Sequence, residues 1–297
     1  MTQDVYERLA AFLDSLPAGF PRTESGVEIR ILKRLFTKEE AALACHLAMW
    51  PEPVDTIAQR VNKPVSELAD VLYEMSRKGL IGRSDRSEGP MYTAAQYVIG
   101  IWEYHVNTLD EGLIKDMNEY IPFLFDAMTR IKTQQLRTIP IGYFYEKNGI
   151  GRSITKEEAL DILRQAEEQG LVLQPSNAQR IMNICLCCGD CCQVLKAIKR
   201  YPKPAEFVHS NYYATVRADE CIACEICLER CQMDAIQMKD DVAEIDPNRC
   251  IGCGLCVTTC GTQAIDLIRK DEKDCHVPPA DIVETYMRIA QERGLIK

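Results

Sequence analysis

The sequence predicts an α+β chain whose first half is mostly helical and whose last third is built of short elements around cysteines. Three observations carry that reading. Thr37 and Glu40, and again Thr155 and Glu158, stand at Thr-x-x-Glu spacing in front of apolar-periodic runs; at that spacing the two side chains satisfy each other's backbone donors at a helix start. Short apolar runs at Leu80-Ile81 and at Met91-Tyr92-Thr93 flank a polar turn over residues 84–89, the pattern of a two-stranded hairpin. Thirteen of the fifteen cysteines lie between Cys185 and Cys260, which sets that part of the chain apart.

The 297 residues suffice for two or three domains. With 46% apolar residues the chain can bury a core and is not a disordered chain. The apolar stretch over residues 121–128 is too short to cross a bilayer, and no apolar run reaches the length of a membrane span, so no membrane insertion is expected. Residues 1–16 read as an amphipathic helix with Asp4, Glu7 and Arg8 on its polar side. They lack the basic start and apolar centre of a secretion signal, and a cytoplasmic protein is expected. Thiols there are kept reduced, so fifteen cysteines point to metal ligation rather than to a disulfide framework. The net charge of −9 argues mildly against a nucleic-acid partner.

The elements follow in order. Residues 1–28 hold the N-terminal helix. Residues 29–96 read as a winged helix-turn-helix. Its first helix runs from Thr37 through Leu43, Leu47 and Met49 to Pro51, and Asp55 caps a short helix with Ile57, Ala58 and Val61. Asn62-Lys63 makes the turn. A helix from Pro64 to Gly79 then places Leu68, Val71, Leu72 and Met75 on one face, and the hairpin is the wing. Residues 97–150 are a helical connection, rich in aromatics such as Trp102, Tyr104, Tyr120, Phe123 and Phe125 as far as Arg137. Residues 151–215 hold a helix with Ala159, Leu160, Ile162, Leu163 and Ala166, ended by Gly170, and then a cysteine-rich segment. Residues 216–270 hold a repeat, and residues 271–297 a helical tail from Ala280 to Arg293.

The repeat aligns without a gap at a shift of 29 residues. Cys221-Ile-Ala-Cys224-Glu-Ile-Cys227-Leu-Glu-Arg-Cys231 matches Cys250-Ile-Gly-Cys253-Gly-Leu-Cys256-Val-Thr-Thr-Cys260, and Ala-Ile follows each as Ala235-Ile236 and Ala264-Ile265. This spacing resembles that of bacterial two-cluster ferredoxins, in which three cysteines of one run and the last cysteine of the other hold each 4Fe-4S cluster. The resemblance implies a small ferredoxin-like domain with two clusters, one on Cys221, Cys224, Cys227 and Cys260, the other on Cys250, Cys253, Cys256 and Cys231. Zinc is the weaker reading, because zinc sites use paired C-x2-C arms rather than three cysteines in tandem. Gln232 and Gly261 stand where the family has proline, and Ala223 and Glu225 stand opposite Gly252 and Gly254. Glu225 and Glu229 place negative charge beside the first run, so its cluster is expected to have the lower potential. Ten carboxylates against five basic side chains between Asp219 and Lys270 form either a solvated surface or a docking face for a basic redox partner.

The segment Cys185-Leu-Cys187-Cys188-Gly-Asp-Cys191-Cys192 is a second candidate centre. Cys185, Cys188 and Cys191 repeat the three-residue step, and Cys187, Cys192 or Cys275 could supply a fourth ligand. A third iron–sulfur cluster is the favoured reading; zinc and redox-reactive thiols are the alternatives. Cys45 reads as core packing; Cys275-His276 is suggestive as a ligand pair but reads as structural or exposed; His105 and His209 show no partner in the sequence.

Taken together, the Phe36-Thr-Lys-Glu-Glu-Ala winged helix, the Gly151-Arg-Ser-Ile-Thr-Lys-Glu-Glu-Ala-Leu run, Asn183-Ile-Cys185 to Cys192 and the repeat resemble a group of anaerobe proteins described only as 4Fe-4S binding proteins. That resemblance implies electron transfer and brings no catalytic residue. The expected function is an electron-transfer protein or subunit of a redox complex, with a redox partner protein and with the winged helix used for assembly or homodimerisation. Two alternatives stand beside it. One is a redox-sensing transcription regulator; the carboxylates Glu67, Asp70 and Glu74 on its second helix, and Asp85 and Glu88 diluting Arg83 and Arg86 in the wing, argue against DNA. The other is an enzyme component acting on a thiol or disulfide through residues 185–192. Gly149 and Gly151 lack the strand and helix of a phosphate loop, and no nucleotide fingerprint is present.

Overall fold

Asp4 opens the first helix, its side chain accepting the backbone N–H of Tyr6 at 3.0 Å. The computed structural model describes residues 4–105, 108–129, 146, 149 and 151–296, and the chain divides into two compact units, Met1–Ser153 with Ile282–Lys297, and Ile154–Asp281. The architecture is mixed α+β, with a helical N-terminal part followed by the cysteine-rich region.

In the first unit, α1 (Val5–Asp14) buries Tyr6, Leu9, Ala10 and Leu13, and α2 (Val27–Leu35) starts from Gly26 in the left-handed region. Helix α3 (Lys38–Ala44) carries the reciprocal cap: the Glu40 N–H donates to Thr37 Oγ1 at 3.2 Å and the Thr37 N–H to Glu40 Oε2 at 2.9 Å. The sequence extends this helix through Leu47 and Met49, but it ends at Ala44. The chain beyond it is drawn into the sheet, where Ala94 donates to the Ala48 carbonyl at 2.7 Å and β1 (Glu52–Pro53) pairs with Tyr92 and Met91. Helix α4 (Val54–Val61) has no side-chain cap; Asp55 lies in its first turn rather than before it. Asn62 takes a left-handed conformation and ends α4, and α5 (Val65–Arg77) follows Pro64. Leu68, Leu72 and Met75 are buried on α5, whereas Val71 is 41% exposed at the edge of that face.

Strands β2 (Ile81–Arg86) and β3 (Gly89–Ala94) pair from Ile81↔Ala94 to Arg86↔Gly89, leaving Ser87 and Glu88 as the turn, tighter than the sequence reading. The sheet order is β1-β3-β2. Helix, strand, two helices and a hairpin follow in that order, the element order expected of a winged helix-turn-helix. A wide turn at Tyr97–Ile101 and a short helix at Trp102–Tyr104 lead towards α6 (Glu111–Thr129). The expected helix beyond Thr129, and residues 1–3 of the N-terminal helix, lie outside the described residues. Asp116 of α6 pairs with Arg34 of α2 at 2.8 Å and with Arg30 at 3.3 Å. Phe20, Tyr97 and Tyr120 pack ring to ring, with centroids 4.8–5.8 Å apart, an arrangement that adds to area burial. The C-terminal helix, Ile282–Glu292, belongs to this unit, and Arg293 after it donates to the Asp14 carbonyl at 2.7 Å, at the end of α1.

In the second unit, α7 (Lys156–Glu168) opens on the second reciprocal cap, Thr155 with Glu158. Of its apolar residues only Ala166 is buried; Leu160 and Ile162 face solvent. Strands β4 (Val172–Pro175) and β5 (Ile184–Cys187) form an antiparallel pair, and α8 (Gln193–Lys199) follows. Next come β6 (Tyr212–Val216), α9 (Ile226–Arg230), β7 (Ile236–Lys239), β8 (Val242–Ile245), α10 (Leu255–Thr259) and β9 (Ile265–Arg269). β6 pairs with β9 and β7 with β8. The two-residue loop Asp240-Asp241 has both residues at positive φ, which matches the twist of a tight hairpin. Among the described residues no helix is long and apolar enough to cross a membrane.

Candidate metal centres

The 29-residue repeat of the sequence is a repeat of backbone. α9 maps onto α10, and β7 onto β9. The left-handed corners map as well: Ala223 (φ 55°) onto Gly252 (64°), Glu225 (62°) onto Gly254 (80°), and Asp234 (50°) onto Gln263 (58°). The first two corners lie inside each run, in conformations that cost an ordinary residue roughly 1–2 kcal/mol, and they turn it so that its first three cysteines face one space. Ala214, Ala243, Cys227, Cys256 and Ile265 form one buried core between the copies, and the first four are two pairs related by the same shift.

Two hollows flank this core. The first is lined by Cys221, Cys224, Cys227 and Cys260, with Met238, Ala243 and Ile265 as apolar wall. The second is lined by Cys250, Cys253, Cys256 and Cys231, with Ala214, Ile236 and Ile245. Burial raises the Cys227 thiol, and the charges of Cys224, Cys221 and Cys260 add to the rise. Burial likewise pushes Cys256 up to about 12, with Cys253, Cys250 and Cys231 contributing. Four sulfurs around an apolar space cannot all ionise unless positive charge sits among them, so the donor set fits a soft, thiophilic metal group. Burial also raises Cys260, but the Thr262 hydroxyl and the N–H groups of Ala264, Ile265 and Thr262 outweigh it and leave this thiol below its ordinary value. The matched N–H···S contacts are Ala235 to Cys231 at 3.3 Å and Ala264 to Cys260 at 3.2 Å. Hydrogen bonds of this kind tune a cluster's potential.

Cys185 and Cys187 lie on β5, and Cys188, Cys191 and Cys192 in the loop that follows. Cys188 Sγ, Cys191 Sγ and a carboxylate oxygen of Asp190 lie within 4.8 Å of one another. None of the eight repeat cysteines belongs to a group of three that tight. The Cys191 N–H donates to Cys188 Sγ at 3.2 Å. Burial raises the Cys188 thiol, but hydrogen bonds from the backbone of Cys191, Asp190 and Cys192 and from the Cys191 side chain bring it below its ordinary value. Asn183 Nδ2 contacts Cys185 Sγ at 3.6 Å. No disulfide joins any of the fifteen cysteines.

Gln232 belongs to this region, although in the sequence it stands out only as the residue in place of a proline. Its Oε1 accepts the Gly189 N–H at 2.6 Å, and a Cβ on Gly189 would lie 2.6 Å from the Gln232 carbonyl oxygen. The cysteine-rich loop thus rests backbone to backbone on the Cys231 turn. Two arginines beside the runs were missed as well. Arg230 donates to the Glu168 carbonyl at 2.7 Å, capping α7. Arg249 reaches the carbonyls of Met233 at 2.9 Å, Asp234 and Lys199 at 3.2 Å and Tyr201 at 3.4 Å. The signal available was a basic residue directly before Cys231 and before Cys250.

The other candidates are structural. The Cys45 thiol donates to Ala41 O at 3.2 Å and is half-buried. His105 Nδ1 meets Ile101 O at 2.6 Å. His276 stacks on His209, with ring centroids 4.0 Å apart, and its Nε2 meets Asn177 Oδ1 at 3.1 Å. The Cys275 thiol donates to Lys270 O at 3.4 Å.

A family model described as a 4Fe-4S binding domain matches residues 242–265, which run from β8 through the second cysteine run to the start of β9. No curated protein and no solved structure matches the chain. The protein is an iron–sulfur protein that binds a 4Fe-4S cluster.

Proposed function

We propose that the chain is an electron-transfer protein, or a subunit of a redox complex, holding two 4Fe-4S clusters, one on Cys221, Cys224, Cys227 and Cys260 and one on Cys250, Cys253, Cys256 and Cys231. The observation that carries the reading is the pair of hollows, each lined by three cysteines of one run and the last of the other. A bound 4Fe-4S cluster supplies a one-electron couple. The chain's own residues do the rest: cysteines hold, Ala235 and Ala264 donate to sulfur, and the apolar walls limit water at the centre.

The winged helix fits an assembly role in this reading, with a protein as its partner. The outward face of α5 carries exposed Glu67, Asp70 and Glu74 beside Val71 and Tyr73, and such a face repels phosphates. Arg83 is held over the Tyr73 ring at 4.7 Å.

The test is iron and acid-labile sulfide per chain in anaerobically purified protein, with electron paramagnetic resonance of the reduced form. About eight irons and the broadened spectrum of two interacting clusters are expected. About four irons would remove the second cluster. Cys231→Ser must disturb the cluster of the Cys250 run and Cys260→Ser that of the Cys221 run; the opposite assignment would overturn the crossing.

A further inference from the structure

We propose that Cys188, Asp190 and Cys191 form a third metal site that takes a single thiophilic ion of the zinc class, beside the two clusters and separate from them. The spacing of the donor atoms carries this. Tetrahedral zinc with bonds of about 2.3 Å to sulfur holds two thiolates roughly 3.8 Å apart. Cys188 Sγ, Cys191 Sγ and the Asp190 carboxylate lie within 4.8 Å of one another, so small adjustments close them on one ion. Thiolates bound to different irons of a cube stand further apart, and the eight repeat cysteines form no group of three so tight.

The loop is shaped to present these atoms. Cys188 Sγ is the focus of backbone hydrogen bonds from the residues that follow it, with Cys191 N–H at 3.2 Å. That geometry fixes the sulfur and orients it across the loop. Gly189 between the ligands is pinned by Gln232, through the 2.6 Å hydrogen bond and a backbone approach with no space for a Cβ. A site on such a loop is preorganised. The carboxylate within the same 4.8 Å group gives the site a third donor atom, which a simple redox dithiol does not use. Cys185, Cys187 and Cys192 supply the candidates for the fourth position within the same eight residues. The contact with Gln232 seats the site against the turn that carries Cys231, so the ion's structural effect is to stiffen the wall of the second hollow.

The experiment uses the full chain, purified anaerobically from cells supplied with both iron and zinc, and counts both elements. About one zinc per chain is expected. It should be lost in the Cys188→Ser/Cys191→Ser variant while the iron count stays as in the unchanged protein. X-ray absorption at the zinc edge should report sulfur at about 2.3 Å. Single serine variants at Cys185, Cys187 and Cys192 identify the fourth ligand by zinc loss. If the double variant does not fold, Asp190→Asn keeps the shape; its zinc should pass to a chelator at least about tenfold more readily, as expected for a weakened ligand set. Four additional irons that vanish with Cys188 and Cys191 would overturn the proposal in favour of a third cube. A zinc-free chain whose Cys188 and Cys191 form a disulfide on mild oxidation would overturn it in favour of a dithiol. Failure of the two-cluster reading appears in the iron count alone, and failure of this site in the zinc count.

Discussion

The two copies of the cysteine repeat have nearly the same backbone and different tolerances. At the first corner of the second copy, Gly252 leaves no space for a side chain, since a Cβ would lie 2.1 Å from the Tyr212 carbonyl oxygen. At the same corner of the first copy a methyl group is present, on Ala223, at nearly the same φ. One corner on, Glu225 and Gly254 share the left-handed conformation, but there a Cβ on the glycine would meet only Leu267, at 3.5 Å. The second copy is thus constrained by what packs on it, the segment leading into β6, while the first meets solvent and accepts side chains at the cost of backbone strain. The family match falls on the second copy.

The comparison can be broken at the cysteines first, where the largest effect is expected. Cys256→Ser should cost four irons per chain and leave the cluster of the Cys221 run in place, and Cys227→Ser the reverse. If either change empties both hollows, the copies are one cooperative unit. Next come the corners. Gly252→Ala should destabilise the loaded protein by about 3 kcal/mol, combining left-handed strain with overpacking. Ala223→Gly should stabilise it by about 0.5 kcal/mol, the released strain less the added backbone freedom. Anaerobic denaturation read by visible absorption measures both, and equal effects at the two corners would erase the asymmetry.

A third pair precedes the runs. Arg249 and Glu220 are related by the 29-residue shift, yet Arg249 donates to four carbonyls while Glu220 pairs with Arg217 at the surface at 2.6 Å. Arg249→Ala should cost about 2 kcal/mol by stripping donors from those carbonyls, and Glu220→Ala should leave the denaturation midpoint unchanged within scatter. The smallest effect concerns potential. Glu225 is exposed beside the first run, and Gly254 brings no charge to the second, so Glu225→Gln should raise only the potential of the Cys221 cluster. Salt should shrink that difference. Thr262, 3.6 Å from Cys260 Sγ, stands where the other copy has Met233; Thr262→Val should lower the same potential by removing a hydroxyl from the sulfur. Redox titration with spectroscopic assignment separates the two, and coincident potentials in all forms would remove the electrostatic argument.

What could be read beforehand was local. Both reciprocal caps were legible because Thr37 and Glu40, and Thr155 and Glu158, need only each other. The hairpin was legible from two short apolar runs flanking a polar turn, although its turn came out shorter. The length of α3 was not, because Ala48 and β1 answer to strand β3, more than thirty residues away. Nor was the exposure of Val71, Leu160 and Ile162: apolar spacing shows a face that can be buried, and burial needs a neighbour. The β4–β5 pair was hidden in a segment whose cysteines dominated its pattern.

By itself the sequence determined which residues repeat, at what interval, and which thiols lie close along the chain, since these depend only on covalent order and on hydrogen bonds within a turn. Only the tertiary structure decided which thiols face a common space. Cys260 and Cys231 come to their hollows because β6 closes on β9 and β7 on β8. The loop of Cys188 and Cys191 meets Gln232 across 43 residues of chain. Contacts of that range form when packing as a whole outweighs the entropy of closing the loops between them, and no short window of sequence carries that balance.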